Sequence, residues 1–251
     1  MNKLWRKVLI GGLVLLFVAG AGFVLWATNS AQPERQALES LQSVADIRFE
    51  QIDSWLVFTP NGSEPTTGLI FYPGGRVDYR AYAPHARDIA AGGFTVVIVP
   101  MPLNLAVFGI NRAENVITAF PVIDQWVVGG HSLGGAMAAE FTSNNQKKID
   151  GLLLWASYPG SNTDLSALDL PILSVFASND GLATLEDIDD SRDRLPENTS
   201  FVEITGGNHA GFGWYGDQNG DGVASLSQQE QQSQIVQATV AFMQALGEGL
   251  E

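Results

Sequence analysis

Four short runs of this chain, at residues 68–72 (GLIFY), 94–100 (FTVVIVP), 126–130 (WVVGG) and 151–155 (GLLLW), carry no charge and no regular polar alternation. A strand with one wet face must alternate, so continuously apolar runs belong to strands covered on both faces. Further strand-like runs lie at 55–59, 172–177 and 201–205, and helical patterns separate them at 82–91, 111–119, 133–143 and 187–194, with a last helix after Ser227. This βαβα order predicts an α/β fold: a mostly parallel central sheet with helices on both faces and right-handed crossovers. Ligands of such sheets sit beyond the carboxyl ends of the strands, so chemistry is sought in those loops. Ser227 and Glu230 form an S-x-x-E capping box at the start of the last helix. The glutamine-rich stretch 228–234 that follows reads as a solvated helix face.

Ahead of the fold, residues 8–27 (VLIGGLVLLFVAGAGFVLWA) run without a charge. Twenty helical residues at about 1.5 Å each cross a hydrocarbon core of roughly 30 Å. Lys3, Arg6 and Lys7 precede the run, and Trp5 and Trp26 stand near its two ends. The positive-inside rule then keeps residues 1–7 in the cytoplasm and sends the rest outward, as a single-pass signal-anchor. A cleaved signal peptide competes, although Asn29-Ser30-Ala31 is a poor cleavage pattern. Either reading puts the body outside the cytoplasm. Residues 28–46 read as a polar spacer with a turn or two of helix, and 47–251 as one catalytic-sized domain. The whole chain has 27 acidic and 13 basic side chains, a net of −14. Beyond residue 30 the balance is 10 basic against 27 acidic, a net of −17. Such a body repels phosphate backbones and anionic headgroups, which argues against a nucleic-acid partner. With no cysteine in 251 residues, disulfides, thiolate metal sites and thiol nucleophiles are excluded.

After the WVVGG run comes Gly130-His131-Ser132-Leu133-Gly134, a G-x-S-x-G between a buried strand and a helix. In that context it is a nucleophile elbow: the serine takes a strained turn, and the flanking glycines let neighbouring backbones approach. A serine hydroxyl needs a base, and the chain offers three histidines. His131 lies inside the elbow and is expected to point away from the base position. His85 sits within a helix, as a surface or structural residue. His209 follows the last strand in a glycine-rich loop and is the natural base. The carboxylate that fixes its tautomer is expected to be Asp180, just past the 172–177 strand, ahead of the rivals Asp164 and Asp169 in the preceding loop. An oxyanion needs two N–H donors. One is the amide of Leu133, directly after the nucleophile, and the other is expected from Gly75 in the Pro73-Gly74-Gly75 turn. Residues 217–222 (DQNGDG) imitate the first half of a calcium-binding loop, but Gln228 stands where the closing glutamate belongs. That segment is expected to be a turn, and no metal or cofactor is expected.

With these motifs assembled, the chain resembles an alpha/beta-hydrolase, and more narrowly the fold-5, dienelactone-hydrolase-like branch. The resemblance runs from about residue 47 to 246 through GLIFYPGGRVDYRAYAP, VVIVPMPLNLAVF, GGHSLGGAMAAE, LLLWASYPG, SNDGLAT and GGNHAGFGWYGDQNGDG. It implies a Ser–Asp–His triad at Ser132, Asp180 and His209 and an oxyanion hole at Leu133 and Gly75. The usual His-Gly of the oxyanion loop is Pro73-Gly74 here. Only 17 residues separate Leu154 from Ile172, too few for the helical cap that members often insert there. An open site is therefore expected, lined by Tyr72, Tyr79, Leu103, Trp155, Tyr158 and Phe212, with Trp214 nearby. The implied function is a membrane-anchored serine hydrolase acting on a small-molecule acyl substrate. A non-catalytic, membrane-tethered binding protein on the same fold is the alternative.

Overall fold

The computed structural model describes residues 3–248. The first two residues of the expected cytoplasmic end and the last three of the expected catalytic domain lie outside the described residues. Eight strands form one sheet: β1 (Ile47–Ile52), β2 (Trp55–Pro60), β3 (Thr67–Tyr72), β4 (Thr95–Ile98), β5 (Gln125–His131), β6 (Gly151–Trp155), β7 (Ile172–Ala177) and β8 (Ser200–Ile204). Their spatial order is β1-β2-β4-β3-β5-β6-β7-β8. β2 runs antiparallel to β1 and β4, and all pairs from β4 to β8 are parallel. Every residue of β3, β4, β6 and β7 is buried, as continuous apolar runs require. β1 departs from the sequence reading, which had no strand there. It is an edge strand whose residues beyond Ile47 are mostly exposed, so it carries no buried run to announce it.

Helices cover both faces. α3 (Ala83–Ala91) and α7 (Gln228–Glu248) pack with Leu69, Phe71, Val96 and Trp155 on one side. α4 (Arg112–Ala119) and α5 (Leu133–Asn144) pack with Ile70, Val97, Val128 and Leu154 on the other. Successive strand residues divide between the two cores, Leu69 and Phe71 to one and Ile70 and Tyr72 to the other, by the period-two geometry of a strand. α6 (Leu185–Ser191) connects β7 to β8. Residues 156–171, between β6 and β7, contain no helix, so nothing there caps the strand ends.

α1 (Lys3–Thr28) leads into the domain. Its Leu9–Thr28 portion has a mean hydropathy of 2.4, is long and apolar enough to cross a membrane, and apart from Ala27 near its end is not buried inside the protein. The following segment packs onto the body. Ala31 bridges Val77, the N–H of Glu34 donates to the Trp214 carbonyl, and Ala37 is buried in α2 (Arg35–Glu39).

Candidate active site

Ser132 joins β5 directly to α5 with φ 52° and ψ −124°, a left-handed conformation that a non-glycine residue holds only under constraint. Its N–H donates to the Trp155 carbonyl at 2.9 Å, and its carbonyl accepts from the Ser157 hydroxyl at 2.7 Å. The helix then starts against the end of β3, where a Cβ at Gly134 would collide with the Tyr72 and Pro73 carbonyls. Glycine is the residue that permits this approach. The hydroxyl of Ser132 is half-buried and has no hydrogen bond to protein among the described residues.

His209 follows β8 and Asp180 follows β7, and both side chains are buried. The imidazole Nδ1 donates to Asp180 Oδ2 at 2.8 Å, while Asp180 Oδ1 accepts from the N–H groups of Leu182 and Ala183 at 2.8 and 2.7 Å. Both carboxylate oxygens are thereby oriented, and the pair is desolvated. Asp164, one of the rival carboxylates, is exposed and accepts from the Ser166 N–H and hydroxyl, the work of a turn aspartate. Asp169 is also exposed.

The β3 loop meets the elbow from the other side. A Cβ at Gly75 would come within 3.0 Å of the Leu133 side chain, so the two backbones adjoin. The Leu133 N–H lies in the first turn of α5, where helix donors have no intrahelical acceptor. Neither it nor the Gly75 N–H is hydrogen-bonded among the described residues. Arg76 has φ 57° and its N–H donates to the Asn104 carbonyl at 2.7 Å, which pins the loop just past Gly75.

Tyr82 carries no local sequence signal for a role here, yet it braces this loop from beneath. Its buried hydroxyl accepts from the Gly74 N–H at 3.0 Å and lies 2.8 Å from His131 Nδ1. The Tyr82 oxygen thus links the Gly74 N–H to the His131 ring, whose Nε2 has no hydrogen-bond partner among the described residues. Burial, and then the neighbouring His209 and His85, hold the His131 pKa well below the ordinary value. The His131 ring stacks on Phe212 with 5.7 Å between centroids and lies 4.5 Å from the His209 ring. The elbow histidine therefore points beneath the His209 ring, packed under it rather than away from it. His85 is wholly buried against Trp155, so it has no surface role.

The 217–222 loop is more than a turn. Asp221 Oδ1 accepts from the N–H groups of Gly181, His209 and Gly222 at 3.1, 3.1 and 2.8 Å, and Oδ2 accepts from Ala210 at 2.8 Å. One carboxylate thus ties the loop after Asp180 to the loop bearing His209. The glutamine stretch of α7 is a solvated face only in part: Gln229, Glu230, Ser233 and Gln234 are exposed, and the other three glutamines face the protein. Gln231 is buried and exchanges two hydrogen bonds with the Asn208 backbone, Gln228 donates to the Gly211 and Gly213 carbonyls, and Gln232 bonds Trp214 and Asp88.

Of the aromatic lining expected from the sequence, three residues lie in the core. Tyr72 is fully buried with its hydroxyl donating to the Ile110 carbonyl and accepting from the Ala113 N–H. Trp155 is buried with its indole N–H on Thr239, and Phe212 is buried against His131. Tyr72 and Trp155, at the ends of β3 and β6, and Phe212, in the turn after His209, all point their rings into the sheet's flanking cores, so none can touch a substrate in this arrangement. Tyr79, Leu103, Tyr158 and Trp214 are half-buried and keep accessible surface.

A strained serine at a strand-to-helix turn, with a buried His–Asp pair after β7 and β8 at the same edge of the sheet, is the arrangement of an α/β fold built for hydrolytic chemistry. A family profile described as the alpha/beta hydrolase family matches residues 68–233. The chain belongs to the alpha/beta hydrolase family. Similar solved structures include a thermophilic esterase from the planctomycete Thermogutta terrifontis, at 11% identity and TM-score 0.60, covering 83% of this chain and 94% of that one. The esterase domain of a Rhodothermus marinus protein matches at 11% identity and TM-score 0.58, covering 75% and 90%. A CIB-like hydrolase from Thermoplasma acidophilum matches at 15% identity and TM-score 0.55, covering 79% and 97%. At these identities the likeness is one of fold. No curated protein matches the chain at a significant level.

Proposed function

We propose that this protein is a membrane-anchored serine hydrolase that cleaves a carboxylic ester through an acyl-serine intermediate. The observation that carries this reading is the buried Asp180–His209 pair, oriented after β7 and β8 at the same carboxyl edge of the sheet as the strained Ser132. His209 Nε2 takes the Ser132 proton as Oγ attacks the substrate carbonyl, and the new oxyanion is held by the Leu133 and Gly75 N–H groups. Asp180 fixes the Nε2-accepting tautomer and stabilises the imidazolium. Collapse breaks the carbonyl–oxygen bond to the alcohol, which leaves with the proton from His209. Water then enters, gives a proton to the same nitrogen and attacks the acyl carbon. Collapse of this second tetrahedral intermediate returns the proton to Ser132 and releases the acid.

Residues 8–27 serve as the anchor, with 1–7 cytoplasmic and the hydrolase domain outside. The exposed apolar side chains of α1, among them Leu13, Leu16 and Phe17, favour lipid over water. The half-buried Tyr79, Leu103 and Tyr158 remain candidates for contact with the acyl substrate.

Turnover of p-nitrophenyl acetate by the wild type, compared with Ser132→Ala, tests the reading. It requires serine-dependent hydrolysis. Ligand binding without turnover by the folded wild type would overturn it in favour of the non-catalytic alternative.

A further inference from the structure

The end of α1 is docked on the candidate site itself. Arg76, next to the oxyanion donor Gly75, donates from Nε to the Trp26 carbonyl at 3.0 Å and from Nη2 to the Asn29 carbonyl at 2.8 Å, and its guanidinium lies 4.6 Å from the Trp26 ring centre. One turn deeper in the helix, the Phe23 ring packs edge-on against Phe108 at 6.2 Å. Phe108 and its neighbour Val107 belong to the loop after β4, at the same carboxyl edge of the sheet as the site, and are 53% and 42% exposed.

These contacts fix the depth of the site. Phe23 precedes the helix end at Thr28 by five residues, about 7.5 Å along the axis at 1.5 Å per residue. An indole near the end of a span sits at the headgroup level, so Trp26 and the Arg76 that covers it mark the interface. Phe108, against Phe23, then lies on the lipid side of that plane. A loop that exposes phenylalanine and valine beside a spanning helix has one apolar medium within reach.

From this geometry we infer that the loop carrying Val107 and Phe108 is seated in the leaflet that holds the end of α1, and that the hydrolase takes its acyl esters from that leaflet. The inference rests on the proposed serine-esterase and anchor readings and names their substrate class: esters dissolved in the bilayer. The polar spacer allows no excursion, because Ala31 is already bridged to Val77 beside the oxyanion loop.

The test uses the full chain in phosphatidylcholine vesicles. Because the chain has no cysteine, Phe108→Cys and Val122→Cys each accept one environment-sensitive fluorophore. Val122 is exposed at the opposite edge of the sheet, before β5. Doxyl lipids are expected to quench the label at 108 several-fold more than at 122. Separately, Phe108→Asp is expected to lower hydrolysis of vesicle-borne 4-methylumbelliferyl oleate at least tenfold and of the water-soluble butyrate less than twofold. Equal quenching at the two positions overturns the seating. A Phe108→Asp chain that cleaves both esters like the wild type, or a wild type that cleaves only the butyrate, overturns the lipid substrate. A wild type inert to both esters and to a fluorophosphonate refutes the esterase reading, and the lipid substrate with it, while the quenching still decides the seating.

Discussion

Replacing His85 by phenylalanine should remove part of the protein's sensitivity to acid. His85 is fully buried in α3, its ring 5.3 Å from Trp155, and neither ring nitrogen has a hydrogen-bond partner among the described residues. Burial pushes its pKa down from 6.5 to about 3. The folded state therefore keeps this imidazole neutral where the unfolded chain protonates it. Above pH 6.5 the two states bind equally few protons at this site and it contributes no slope. As pH falls from 6.5 towards 3 the unfolded state gains the proton first, and stability declines by about 1.4 kcal/mol per pH unit. By about pH 4.5 the loss reaches roughly 2.7 kcal/mol. His85→Phe abolishes that term and puts an apolar ring among Leu69, Ile89 and Val96, where the imidazole nitrogens have no partner among the described residues. Urea unfolding of the detergent-solubilised full chain measures it. The stability difference, variant minus wild type, should grow by about 2.7 kcal/mol between pH 7.5 and 4.5, since carboxylate terms common to both proteins cancel. A difference that is the same at both pH values would show that His85 is not a source of the acid sensitivity.

Three further substitutions probe the site. Asp180→Asn leaves His209 in the wrong tautomer and should lower kcat about 10⁴-fold with little change in KM; a loss below tenfold would show that Asp180 is not the orienting carboxylate. Asp221→Ala frees four N–H donors in the two loops that carry Asp180 and His209. It should cost about 2–4 kcal/mol of stability and reduce kcat ten- to a hundredfold, at hydrogen-bond energies of roughly 1.5–3 kcal/mol to a charged acceptor; a melting curve and kcat matching the wild type would contradict it. Tyr82→Phe removes the acceptor for Gly74 N–H and the hydrogen bond to His131 Nδ1, and should lower kcat roughly tenfold through a loosened oxyanion loop, read from initial rates on a soluble ester.

The strands and helices that bury a continuous apolar face were legible in the sequence, because the two-sided core demands runs such as GLIFY and GLLLW. The elbow and the His209 loop were legible because glycine and histidine are needed there for reasons local to the chain. β1 was not, since an exposed edge strand has no such run. Asp221, Tyr82 and Gln231 were not, because a turn aspartate, a helix tyrosine and a polar glutamine acquire their roles only through partners distant in the chain. The same limit explains the misplaced lining. Tyr72, Trp155 and Phe212 stand beside the site in sequence, but the alternation of the strand and the packing of the histidine loop turn their rings inward.

The most direct measurement of the central claim is peptide mapping of the folded full chain after reaction with a fluorophosphonate. One phosphonyl group per chain on Ser132 is expected, absent after unfolding and much slower to form in Asp180→Asn. A folded chain that stays unmodified, or that carries the group on a different serine, would contradict the account.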